Sequence, residues 1–310
     1  MQKNLKLRKN ISLEMISKYW FLYLIMILTL IFYTVFKYYP IIVQTVCAFK
    51  EYRLKDGIWG SQWVGFKNFS DLISMPDISR LIKNTVGISV LRMLVGFFPP
   101  IILAIFIFDI KGNKFKKISQ TILYLPHFFS WVIVYSIVFA IFNNTGLINS
   151  FLEFFGGEKV NFLQSREWFR PMLIGSALWK DLGWGTIIYL AALSGIDTSL
   201  YEAAKIDGAG PIQRIRYITL PGIASVVIFF LTLNIGGLFT NAGTEQILLF
   251  YSPATWEVAD VIDTWIFRNS LGGFEYSLGA TLGFVQAVIS LVLVLIANKI
   301  AIRTSGRGLW

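Results

Sequence analysis

Residues 201–221 read YEAAKIDGAGPIQRIRYITLP, a polar stretch with charges of both signs and a Gly-Ala-Gly-Pro interruption at its centre. Glu202 to Ile206 favours helix, and Glu202 suits a first turn. Gly208 and Gly210 are poor helix residues, while Pro211 fits the first position of a new helix. Ile212, Ile215 and Ile218 continue a helical stripe with Gln213, Arg214 and Arg216 interleaved. The spacing predicts helix, sharp glycine turn, helix. On both sides lie apolar runs long enough to cross a bilayer.

Those runs set the class. The 310 residues are 55% hydrophobic and 15% charged, more apolar and less charged than an ordinary soluble domain. The apolar residues gather into six candidate spans at about 19–46, 83–108, 120–142, 170–194, 219–241 and 277–300. Each meets the length of about 20 residues that a membrane helix needs. The expectation is an all-α membrane protein of six transmembrane helices. A tail at 1–18 precedes the transmembrane domain at 19–302, and a second tail follows at 303–310. The basic start (Lys3, Lys6, Arg8, Lys9) before an apolar run resembles a signal peptide. The run is long and aromatic and lacks a small-x-small cleavage site before Lys37, so it reads as a retained first span. Lys37 and Pro40 mark where its outer end would bend, and Pro99-Pro100 predict a break or bend in the second span. Gly279 and Gly283 form a small-xxx-small pattern suited to close helix packing.

The net charge of +10 belongs to topology rather than to nucleic acid. Bases collect in the N-terminal tail, at Lys111, Lys114, Lys116 and Lys117, at Lys205, Arg214 and Arg216, and at Lys299, Arg303 and Arg307. The loop holding Glu245, Glu257, Asp260, Asp263 and Glu275 is acidic, with Arg268 opposing. The positive-inside rule places both termini and the 201–221 loop in the cytoplasm. A single cysteine, Cys47, excludes an internal disulfide and a cysteine metal cluster. No G-x-x-x-x-G-K-[ST] run occurs, so no nucleotide hydrolysis is expected from this chain. Catalytic and metal sites are expected to be absent. His127, the one histidine, reads as an interfacial residue after Leu125-Pro126.

Glu202-Ala203-Ala204-x-x-Asp207-Gly208-Ala209 followed by Ile218-x-Leu220-Pro221 resembles the EAA loop of ABC-importer permeases. Trp63-Val-Gly-Phe-x-Asn-Phe69, Lys83-Asn-Thr85, Gln120-Thr-x-x-Tyr-Leu-Pro-His127 and Trp179-x-x-x-Gly-Trp184 resemble the carbohydrate (maltose-type) branch. Glu245-Gln-Ile-Leu-Leu249, Pro253-Ala254 and Glu257-Val-Ala-Asp260 are similar to its polysaccharide and oligosaccharide members. Two positions depart: Ile215 stands where the family often has Phe, and Ala224 about where it has Pro. The resemblance implies a type I importer (MetI-like) transmembrane domain in the cell membrane. It also implies a coupling helix at Glu202, Ala203, Ala204, Asp207, Gly208, Ala209, Ile215, Leu220 and Pro221. The implied partners are a second permease, two ATPase subunits carrying ATP and Mg²⁺, and an extracellular solute-binding protein. No cofactor is expected on this chain itself.

For the sugar path, ring faces and amides suit carbohydrate, and Trp179, Trp184, Asn234 and Gln286 are the candidates. Arg92 and Lys180 lie deep in the second and fourth spans, where a charge costs about 2.5–3.5 kcal/mol and needs a partner or water. If they line a wet cavity, they favour an acidic sugar such as a uronide. The alternatives are a permease for a peptide or phosphate ester, and a secondary transporter. The latter should show internal repeats and intramembrane carboxylates.

Overall fold

A computed structural model describes residues 17–306, 308 and 309. The bases Lys3, Lys6, Arg8, Lys9 and Arg307 lie outside the described residues. Five stretches among the described residues are long and apolar enough to cross a membrane: Trp20–Ala48, Ile78–Asp109, Trp131–Phe154, Pro211–Phe239 and Tyr276–Ser305. The chain divides into two compact units, residues 1–72 with 275–284, and residues 73–274 with 285–310.

The first unit is built on α1 (Trp20–Ala48), a helix exposed along its apolar length. Pro40 does not end it. A π-helical turn at Thr34–Tyr38 precedes the proline, and helix resumes at Tyr39–Ala48. A short antiparallel pair follows, β1 (Lys50–Glu51) and β2 (Gln62–Trp63), in the register Lys50↔Trp63. The Trp63–Phe69 motif is explained by what it holds. The Trp63 ring stacks on Phe49 at 5.6 Å, and the buried Asn68 amide donates to the carbonyls of Ala48 and Lys50, both at 2.9 Å. A Cβ at Gly283 would overlap the Gln44 side chain, so this glycine of the small-residue pattern serves packing within the chain.

The second unit centres on two long helices, α2 (Ile78–Asp109) and α6 (Arg166–Ser194). Phe97, Ile101, Ala104 and Ile107 on one meet Tyr189, Leu190 and Leu193 on the other, with Ile223 joining them. Of the expected break or bend, the break does not occur: α2 runs unbroken through Pro99-Pro100. Pro100 is accommodated by Gly185, where a Cβ would come within 3.1 Å of the proline ring.

The third expected span also differs. Residues 113–142 form not one helix but α3 (Asn113–Tyr124), a tight turn at Leu125–Phe128, and α4 (Trp131–Phe142). Pro126 lacks an amide hydrogen, and Phe129 and Ser130 are extended, so the chain cannot stay helical there. Ser130 then caps α4 by accepting from the Ile133 amide at 3.4 Å. The apolar stretch is therefore Trp131–Phe154, which takes in α5 (Leu147–Phe154) beyond a break at 143–146. The fourth expected span coincides with α6, whose 29 residues reach roughly 43 Å. It is long enough to cross but is not among the five apolar stretches, because Lys180 and Asp181 interrupt it.

After α7 (Thr198–Ile206) and α8 (Pro211–Phe239), the segment 244–271 folds back onto α2 and α6 through α9 (Thr244–Phe250), α10 (Trp256–Ala259) and α11 (Ile262–Trp265). Its acids, read as loop charge in the sequence, are partly structural. Asp260 is 1% exposed and takes both guanidinium nitrogens of Arg268, at 2.7 and 3.1 Å. The Thr264 hydroxyl donates to the same carboxylate at 2.7 Å. That partnership raises the Arg268 guanidinium above its usual range. The Asn84 amide donates to the carbonyls of Glu257 and Asp260, and Arg170 donates to the Asn84 oxygen at 2.8 Å. Arg166 pairs with Glu257. The last helix is α12 (Tyr276–Ser305).

Candidate functional site

The break between α3 and α4 stands beside the middle of α6. A Cβ at Gly183 would overlap the Leu123 carbonyl oxygen, so the end of α3 rests directly on the α6 backbone. Breaking a helix frees carbonyls that need donors, most of all away from water. Lys180 supplies one: its ammonium donates to the His127 carbonyl at 2.5 Å. Its neighbour Asp181 points elsewhere, to the His127 ring at 3.0 Å. This follows from helix geometry, since adjacent residues do not share a face. The His127 imidazole lies flat on Trp184, with centroids 4.3 Å apart.

Trp131, the first residue of α4, gathers two positive charges. The Lys180 ammonium is 5.5 Å from its ring centre and the Arg92 guanidinium 5.8 Å. Arg92 also donates to the Ala242 carbonyl at 3.1 Å and to the Gln246 side-chain oxygen at 2.8 Å. Gln246 is fully buried and is fixed in turn by donating to Leu173 O and Ser176 Oγ, both at 2.8 Å. Arg92 is 14 residues past the start of α2 and Lys180 14 past the start of α6, about 21 Å along each helix. Both therefore stand near mid-depth. Lys180 is only 7% exposed, and neither base forms a salt bridge among the described residues. Arg92 and Asp181 line a cavity of about 90 Å³ with Val95, Gly96 and Pro100. The carbonyls of Val95 and Gly96 are those that Pro99 and Pro100 leave without helical donors.

Of the residues singled out in the sequence, Arg92, Lys180 and Trp184 come together here. Trp179, Asn234 and Gln286 do not join them through any described contact. Trp179 lines an apolar groove of about 460 Å³ between α4 and α6, with Trp168, Met172 and Phe142. Asn234 donates to Phe230 O in its own helix at 2.8 Å. Gln286 is buried and donates to Phe239 O at 2.7 Å and to Asp263 Oδ1 at 3.0 Å. Burial pushes the Asp263 carboxyl up, against the opposing bonds from Gln286 and Thr244. Sequence reading missed His127, Trp131, Asp181 and Gln246 as members of the cluster. One signal was present: Leu125-Pro126-His127 breaks an apolar run where a lone histidine follows.

The 201–221 loop has the geometry its glycines suggest. Asp197 caps α7 by accepting from the Ser199 amide at 2.9 Å, which holds its carboxyl below the usual range. At the other end Gly208 takes φ +78°. Its amide donates to Lys205 O at 3.1 Å, and the Ala209 amide reaches back to Ala204 O at 2.8 Å, the paired bonds of a glycine-terminated helix. Gln213 accepts from the Gly210 amide at 2.8 Å and starts the second arm. The Tyr201 hydroxyl meets Thr219 Oγ1 at 3.0 Å and ties the two arms together. A π-helical turn at Ile215–Thr219 precedes Pro221 and leads into the long part of α8. Glu202, Ala203, Asp207 and Gly208 are exposed, Ala204, Ala209 and Ile215 half-buried, and Leu220 and Pro221 exposed. Ile206 is 88% and Ile212 80% exposed on either side of the turn. The result is a braced two-arm knob with an apolar tip.

Residues 93–303 match the family model described as binding-protein-dependent transport system inner membrane component. The chain is 40% identical over 98% of its length, and 94% of the relative's, to the polygalacturonan/rhamnogalacturonan transport system permease protein YteP of Bacillus subtilis (strain 168). It is 28% identical over 89% of its length, and 87% of the relative's, to the arabinooligosaccharides transport system permease protein AraP of the same organism. It also resembles a chain of the crystal structure of a bacterial alginate ABC transporter in complex with alginate pentasaccharide-bound periplasmic protein. There the TM-score is 0.87 with 39% identity, covering 96% of this chain and 99% of that one. The protein belongs to the family of inner-membrane components of binding-protein-dependent transport systems. It is thus a non-catalytic, membrane-embedded permease component of an ABC importer.

Proposed function

We propose that this chain is the permease subunit through which an ATP-driven importer takes up an acidic oligosaccharide handed over by an extracellular solute-binding protein. The observation that carries the acidic preference is the pair Arg92 and Lys180, set at mid-depth around Trp131 without a salt-bridged carboxylate. Asp181, bonded to the His127 ring, lines the cavity beside Arg92, and against its single negative charge the two bases leave one positive charge in excess around Trp131. Relatives named for polygalacturonan/rhamnogalacturonan and for alginate support the reading. A second permease subunit completes the pathway, and two ATPase subunits hold ATP and Mg²⁺. The knob at 201–221 seats on one ATPase, with Glu202 to Ala209 as its first arm and Ile215 to Pro221 leading the motion into α8. A rigid element that moves with its partner and is continuous with a span is what alternating access requires.

Arg92→Gln with Lys180→Gln should depress uptake of an oligouronide about tenfold or more. A hydrogen bond to a charged group is worth about 1.5–3 kcal/mol, and 1.4 kcal/mol is a factor of ten. Uptake of a neutral oligosaccharide of equal length should fall less. Equal loss on both sugars would reduce the two bases to structural props, and no loss would place them outside the path.

A further inference from the structure

One charged surface is left unused by the transport reading. The helix α3 carries Lys114, Lys116 and Lys117 in its first turns, after Lys111, and residues 111–124 contain no acid. Lys116 is occupied: it donates to Phe108 O at 3.3 Å and lies 5.4 Å from the Phe108 ring centre. Lys114 and Lys117 have no salt-bridge partner among the described residues. They share one helix face with Ile118, Thr121 and Ile122, and these five residues line a groove of about 360 Å³. The Thr121 hydroxyl is satisfied by donating to Lys117 O at 2.9 Å, so it adds no unmet polarity to the groove. Ile118 and Ile122 are more than half exposed, as is Leu125 beyond them.

Polarity changes along this face in one direction. Two ammonium groups stand at the start of α3, and branched apolar side chains follow towards the break at Pro126. From Lys114 to Leu125 is roughly 16 Å of helix, about half of a hydrocarbon core of about 30 Å. A ligand that fits must be anionic at one end and apolar along the rest, over the depth of one leaflet. We infer that this groove is a binding site for an anionic phospholipid of the inner leaflet, its phosphate between Lys114 and Lys117 and an acyl chain along Ile118 and Ile122. The inference rests on the reading above that α3 starts at the cytoplasmic face. Basic pockets on that side of membrane proteins are suited to acidic headgroups.

The test uses the full chain with its co-expressed partner subunits, placed in nanodiscs of equal parts phosphatidylglycerol and phosphatidylcholine, with native mass spectrometry counting retained lipid. Wild type should keep phosphatidylglycerol in preference to phosphatidylcholine. Lys114→Gln with Lys117→Gln should lower phosphatidylglycerol retention about thirtyfold, from about 1 kcal/mol per lysine near an anionic surface. Phosphatidylcholine should be unaffected, and Lys114→Arg with Lys117→Arg should keep the preference. Unchanged phosphatidylglycerol in the Gln variant would overturn the site. So would equal loss of both lipids, displacement by inorganic phosphate alone, or loss of a co-purifying protein subunit, which would make the face a protein contact. No sugar enters the measurement, so its failure is separable from failure of the transport reading.

Discussion

Replacing Asp260 with alanine is expected to destabilise the chain by about 3 kcal/mol, read as a clear fall in the thermal midpoint of the detergent-purified protein. Removing one partner of a buried ion pair costs about 3–5 kcal/mol, because the other charge is left uncompensated. The lower end applies here, since the Arg268 side chain is 29% exposed while Asp260 is 1% exposed. Two further contacts are affected. The Thr264 hydroxyl loses its carboxylate acceptor and keeps only the Val261 carbonyl, and Arg268, held 4.8 Å from the Trp256 ring centre, loses the fork that orients it. The consequence reaches the site, because the segment 244–271 also carries Gln246, which anchors Arg92. Asp260→Asn, which keeps the shape but removes the charge, should fall between wild type and alanine. A midpoint unchanged in Asp260→Ala would remove the pair from the forces that hold this segment in place.

Gly208→Leu should leave the amount of inserted, assembled chain unchanged while lowering uptake at least about tenfold. Within the chain, a Cβ at Gly208 meets nothing within 4 Å, so crowding among its own residues is not the cause. The backbone at φ +78° is one cost, of about 1–2 kcal/mol for a residue with a Cβ. The other follows from the proposed docking: the turn is the tip of a braced knob flanked by Ile206 and Ile212, and a branched side chain there would stand between the knob and an ATPase seated on it. Gly208→Asn separates the two, because Asn tolerates the left-handed conformation. It should keep more activity than leucine. Normal uptake by Gly208→Leu would remove the turn from coupling.

The parts of the fold legible in the sequence are those written locally. Long apolar runs mark α1, α2, α8 and α12, and the glycine turn at 208 follows from the Asp-Gly-Ala-Gly-Pro order alone. Local chemistry misled where tertiary neighbours decided. Pro99-Pro100 predict a break or bend in α2, yet Gly185, 85 residues further on, makes room for Pro100 and the helix continues without a break. The 120–142 run looks like one span, but Pro126 and the extended Phe129 and Ser130 divide it, and Gly183 receives the end of α3. Arg92 and Lys180 stood out as charges too deep to be left alone. What satisfies them did not, since His127 and Trp131 come from one stretch of the chain and Ala242 and Gln246 from another more than 100 residues away, and only the fold brings them together. Asn234 and Gln286 carry the right chemistry for sugar, and their bonds to Phe230, Phe239 and Asp263 could not be read from the sequence.

The most direct test is uptake into proteoliposomes holding this chain, its second permease and the ATPase subunits, with sugar-loaded binding protein outside and ATP enclosed. The account predicts that a radiolabelled oligouronide accumulates only when ATP and binding protein are both present, and that omitting this chain abolishes accumulation. Uptake that persists without ATP under an imposed proton or sodium gradient, or that this chain supports without the ATPase, would contradict it.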